Sequence, residues 1–123
     1  MGRAHFRELK VWRKGKDLAV LLYRITDEGA FSKDFGLRDQ MRRAAVSVPS
    51  NIAEGNERET DKEAVRYFYV ARGSAAELLT QVIVAHEIGY IDRDMATNLE
   101  SRILEISRML AKLIAVRSIA AGK

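Results

Sequence analysis

RRAAVSVPSNIAEG, residues 42–55, is the stretch whose reading decides the fold. Its apolar residues suit a helix face, yet it also holds Ser47, Pro49, Ser50, Asn51 and Glu54. Proline lacks a backbone donor, and its ring clashes with the carbonyl four residues earlier, here that of Ala45. In an exposed helix this costs about 3 kcal/mol or more, so a break is the simplest expectation. The phase of the apolar residues argues against a break. Leu37, Met41, Ala44, Val48, Ile52 and Gly55 recur at spacings of three and four straight through the proline, and a loop would scramble that phase. The stretch therefore reads as one helix over about residues 34–57, bent at Pro49, with the small Ser47 and Ser50 hydroxyls near the disturbed carbonyls.

The same periodicity extends outward in both directions. Val11, Gly15, Leu18, Leu22 and Ile25 follow a 4-3-4-3 spacing, with Trp12 and Ala19 beside them, and predict a helix over about 9–26 that ends at the turn-like DEGAFS, residues 27–32. Downstream, Thr60 and Glu63 form a capping box that opens a third helix over about 61–88. Ala64, Phe68, Ala71, Ala75, Leu78, Val82 and Ala85 alternate along it, and Gly89 is its expected stop. A fourth helix, about 93–118, begins at an Asp92 or Asp94 cap and carries Leu99, Ile103, Ile106, Leu110 and Leu113, with Met109 and Val116 alongside. Four amphipathic helices with short connections predict an all-α, antiparallel up-down-up-down four-helix bundle forming a single domain over residues 1–123. Val65, Tyr69, Ala76, Leu79 and Ile83 widen the apolar face of the third helix beyond one core, so a homo-oligomer is expected.

Composition agrees with this reading. The 123 residues include one proline and no cysteine, so a disulfide framework or a thiolate metal site is excluded. No apolar run approaches the roughly 20 residues that span a bilayer. MGRAHFRELK at the start has charges without an apolar core after them, so it does not read as a signal peptide. A cytoplasmic location is the expectation.

Charge is uneven along the chain. Residues 1–16 hold Arg3, Arg7, Lys10, Arg13, Lys14 and Lys16 against Glu8 alone, a net of +5. Residues 102–123 hold Arg102, Arg108, Lys112, Arg117 and Lys123 against Glu105, a net of +4. The whole chain is +4, which leaves the middle at −5. In the expected bundle both basic ends share a pole. Arg3, Arg7, Lys10, Arg13, Lys14, Lys16, Arg108, Lys112 and Arg117 are therefore the candidate nucleic-acid-binding residues. Glu57, Glu59, Asp61 and Glu63 partly offset that pole, while Asp27, Glu28, Asp34, Glu87, Asp92 and Asp94 gather at the other.

A second pattern is a polar stripe. Arg43, Ser47, Asn51, Glu54 and Arg58 follow one another at spacings of three or four with Ser50 beside them, and Ser74, Glu77 and Gln81 do so on the third helix. Arg43, Ser47, Asn51, Glu54, Ser74 and Glu77 are candidates for a polar contact between helices or subunits. The alternative is a solvated face with pairs such as Glu54 and Arg58.

RRAAVSVPSNIAEGNER, with FRELKVWRKG near the start and ARGSAAELLTQ in the third helix, resembles the four-helix-bundle proteins encoded in intervening sequences of bacterial 23S ribosomal RNA genes. The matching positions are Phe6, Leu9, Val11, Trp12, Gln40, Arg42, Arg43, Pro49, Asn51, Glu54, Gly55, Gly73, Ser74 and Glu77. These proteins, some labelled S23 ribosomal proteins, are similar in fold to the accessory variability proteins of diversity-generating retroelements. The resemblance implies a ring-like homopentamer with a nucleic-acid connection, and it implies no catalytic residue.

Catalytic chemistry finds no support in the residues. A di-metal bundle needs Glu-x-x-His pairs, and neither Glu77 nor Glu105 has a histidine three residues on. No Gly-x-Ser-x-Gly elbow or phosphate-binding loop is present. Tyr67 and Tyr69, between Arg66 and Arg72, and Trp12, beside Arg13, read better as packing groups than as base platforms. No enzyme activity, cofactor or metal is expected. The leading reading is a non-enzymatic oligomer associated with RNA or DNA. The alternative is a protein scaffold, or an adaptor to a larger enzyme such as a reverse transcriptase.

Overall fold

The computed structural model describes residues 4–122. A 3-10 turn at Phe6–Glu8 leads into α1 (Lys10–Ile25), and a second 3-10 segment, Gly29–Lys33, precedes α2 (Phe35–Asn56). Then follow α3 (Asp61–Glu87) and α4 (Arg93–Ala121), with no strand among the described residues.

Local chemistry explains the helix ends. Asp34 accepts the Leu37 amide at 3.1 Å, Thr60 the Glu63 amide at 3.2 Å and Asp92 the Met95 amide at 2.8 Å, so three helix N-termini have a side-chain cap. Gly89 adopts a φ of 88°. That left-handed turn lets the Tyr90 amide reach Ala85 O and the Gly89 amide reach His86 O, which together close α3 in a Schellman motif.

Helix α2 runs unbroken through Pro49, and packing shows what the proline is for. A Cβ on Gly15 of α1 would lie 3.3 Å from Val48 Cγ1 and 3.5 Å from Pro49 Cδ. Glycine therefore brings α1 directly onto the buried proline ring. On the opposite side, a Cβ on Gly55 would lie 2.8 Å from Phe68 and 3.0 Å from the Ala64 carbonyl. Here α2 and α3 approach at backbone distance. The Ser47 hydroxyl does not serve the carbonyl freed by Pro49. It bonds Ser74 Oγ on α3 at 2.8 Å instead.

The core is the set the periodicity marks, headed by Leu18, Leu22, Met41, Ile52, Phe68, Leu78, Leu99, Ile103, Ile106 and Leu110, all buried. Each contributes about 1.5–3 kcal/mol relative to an exposed side chain. Two positions in α4 differ from expectation. Ile114 is buried while Leu113 lies only partly so, and Val116 is exposed. Over 29 residues a straight helix drifts relative to a strict seven-residue repeat, which moves the inner line from 113 to 114.

Helix α3 packs extensively on α2 and α4, whereas α1 meets α4 more sparsely than it meets α2. Asn56 Nδ2 donates to Ala4 O at 2.9 Å, and Arg117 pairs with Asp61, so the chain start, the α2–α3 turn and the end of α4 share one pole. At the other pole the Tyr90 hydroxyl donates to Asp34 Oδ2 at 2.8 Å.

Candidate nucleic-acid interface

The seam between α1 and α4 gathers part of the predicted basic set. Lys14 Nζ lies 2.9 Å from Glu105 Oε1, tying the two helices together. The Lys14 hydrogen bond holds the Glu105 carboxyl below the usual carboxylate range, and the charges of Lys10 and Arg108 act in the same direction. Three cations from two helices thus converge on one carboxylate. Lys112 lies one turn beyond Arg108 on α4 and is exposed. Lys10, Arg108 and Lys112 are exposed and make no ion pair among the described residues.

Other members of the set are occupied. Arg13 Nη1 donates to Arg7 O at 3.2 Å and Glu8 O at 3.0 Å, clamping the 3-10 turn to α1. The exposed Arg7 guanidinium lies 5.9 Å from the Phe6 ring. Lys16 pairs with its neighbour Asp17 at 2.7 Å. Arg117 departs furthest from expectation. Its side chain is 12% exposed, bonds Asp61 and sits over the Phe68 ring, so it holds the end of α4 to the start of α3 and presents little charge to solvent. Arg3 lies outside the described residues, as does Lys123.

The polar stripe divides in a similar way. Ser47 and Ser74 meet between α2 and α3, and Asn51 Nδ2 donates to Ser47 O at 2.8 Å and to Ser47 Oγ at 3.0 Å. Glu54 stays on the surface and pairs with Arg58 at 3.1 Å. Arg43 and Glu77 are exposed and outside this network. Val70, Glu77 and Val84 share one outer face of α3, with Ile88 just past its end on the same side, and the three apolar ones are about half exposed.

Sequence reading missed a node at the other end of α1. Thr26 is fully buried and donates to Leu22 O at 2.7 Å. Its hydroxyl accepts from Arg42 Nε at 2.8 Å, while the Arg42 guanidinium stacks 4.6 Å from the Tyr23 ring centre. The only sequence signal was Arg42 itself, one of the family-like positions. Among the described residues no cluster of three His, Asp or Glu side chains is placed to hold a metal, and no helix is long and apolar enough to cross a membrane.

The sequence model of the 23S rRNA-intervening sequence protein family matches residues 7–112. A crystal structure of a protein of unknown function from the S23 ribosomal protein family, from Bacteroides thetaiotaomicron, superposes with a TM-score of 0.78. It is 21% identical, and the match covers 85% of this chain and 97% of that one, a likeness of fold. No curated protein matches the chain.

Proposed function

The chain belongs to the 23S rRNA-intervening sequence protein family, and we propose that it is a non-enzymatic, cytoplasmic, self-associating protein that holds RNA or DNA on the basic seam between α1 and α4. The observation that carries this reading is the exposed, unpaired charge of Lys10 and Arg108 beside the Lys14–Glu105 pair, with Lys112 one turn further along α4. Cations without a protein partner are free to neutralise phosphates, which releases counterions and drives binding whatever the base sequence. The family's name refers to 23S rRNA, which makes RNA the first polymer to try.

Self-association supports the same function. Val70 and Val84 on α3, with Ile88 just past its end, are about half exposed, and the exposed Glu77 lies between the two valines on the same face. A second copy laid on this face covers the valines and can give Glu77 a basic partner. Closure into a ring, five copies as the resemblance implies, repeats the basic seam around the assembly and makes binding multivalent.

The test is a titration of the purified protein into labelled RNA of unrelated sequence at several salt concentrations. Steep loss of affinity with salt, similar for each RNA, is expected. Weak binding at every salt concentration would instead favour a protein scaffold.

A further inference from the structure

A groove lies toward the pole that holds Tyr90 and Asp34, lined by the second half of α1, the first half of α4 and the two connections beside them. It is open to solvent, with a volume of about 850 Å³. Leu21 and Ile25 from α1 and Met95 from α4 form an apolar wall, each only partly buried by its own chain. Glu28 and Asp94 stand on the rim, and neither side chain has a hydrogen-bond or ion-pair partner among the described residues. The rim's one cation, Arg102, already donates to Asn98 Oδ1 at 2.8 Å. Gly29 and Gly89, both in left-handed conformation with open space where a Cβ would point, border the opening.

We propose that this groove docks a short cationic amphipathic segment of a partner protein, its apolar side chains against Leu21, Ile25 and Met95 and its Lys or Arg side chains on Glu28 and Asp94. Charge complementarity selects the occupant. The unpaired carboxylates repel phosphate and anionic lipid, which rules against a nucleic acid or a membrane surface, while the apolar wall goes unused by a merely charged ligand. The groove continues the α1–α4 seam toward the far pole, with Arg102 one turn before Glu105 and the carboxylates Glu28 and Asp94 at the end away from Lys14. The protein then links a nucleic acid at one end to a basic protein at the other.

The experiment titrates the isotope-labelled full chain with a twelve-residue peptide that places leucine and lysine on opposite helix faces, and with the same peptide carrying glutamate for lysine. The lysine peptide is expected to give saturable shifts at Leu21, Ile25 and Met95, and the glutamate peptide none. The surface variant Glu28→Gln/Asp94→Asn, checked for an unchanged spectrum elsewhere, weakens the lysine peptide by about tenfold. Three results overturn the proposal: shifts of the lysine peptide that avoid the groove, equal binding of both peptides, or unchanged affinity in the double variant. RNA titration of the same samples separates this claim from the basic seam, because the double variant keeps its RNA affinity.

Discussion

Gly55 and Gly73 are both helical glycines, and their surroundings predict opposite outcomes on replacement by alanine. At Gly55 the new Cβ meets Phe68, the Tyr67 Cβ and the Ala64 carbonyl at 2.8–3.0 Å, and a backbone carbonyl cannot step aside without moving α3. Gly55→Ala should destabilise by about 1–3 kcal/mol, the usual cost of overpacking. Nothing lies within 4 Å of a Cβ on Gly73, so there the gain in helix propensity is unopposed and Gly73→Ala should stabilise by roughly 0.5–1 kcal/mol. Urea denaturation of both variants measures the two signs. A second residue-scale test concerns Asp34. The Leu37 amide and the Tyr90 hydroxyl hold its carboxyl below the ordinary value, and the same bond raises the Tyr90 phenol. The Asp34 contribution to stability is therefore present above about pH 4 and lost as pH falls through the lowered value, while that of Tyr90 is present below about pH 10 and lost as pH rises through the raised one. In Tyr90→Phe the Asp34 carboxyl should titrate nearer its ordinary value yet remain below it, because the amide bond survives. Carboxyl carbon shifts followed against pH report this directly.

At the scale of elements, helix ends are secured by local caps and by distant side chains, and only the local caps were legible in the sequence. The Thr60 cap, the Asp92 cap and the Gly89 stop could be read because their partners lie within three or four residues. Helix α2 could be read across Pro49 because Met41, Val48 and Ile52 keep one phase. The role of Arg117 could not be read, because its partner Asp61 is 56 residues away and pairing at that range depends on how two helices abut. The same holds for Arg42 on Thr26 and for Ser47 on Ser74, polar contacts that sequence spacing leaves open. With the Arg117 and Asp61 side chains 12% and 29% exposed, the pair is shielded enough to matter. A double-mutant cycle on Arg117→Ala and Asp61→Ala should return a coupling of about 1–2 kcal/mol. The exposed Lys16–Asp17 pair should return less than about 0.5 kcal/mol.

Across the whole molecule, unpaired cations lie on the α1–α4 seam, the unpaired carboxylates Glu28 and Asp94 border the groove at its far end, and Val70 and Val84 are exposed on the outer face of α3. Such a face on a 13.9 kDa bundle is expected to self-associate. Light scattering at micromolar concentration should give a mass several times that of one chain, and Val70→Glu should lower it. The central claim is that the seam, rather than net charge in general, holds nucleic acid. Its most direct test compares the salt dependence of RNA binding by the parent with that of Lys10→Gln/Arg108→Gln/Lys112→Gln, which leaves Lys14, Glu105 and the Arg117–Asp61 pair intact. Loss of these contacts should flatten the slope of log affinity against log salt by about two units or more, with the mass by light scattering unchanged. Parallel slopes and equal affinity in the two proteins would contradict the account.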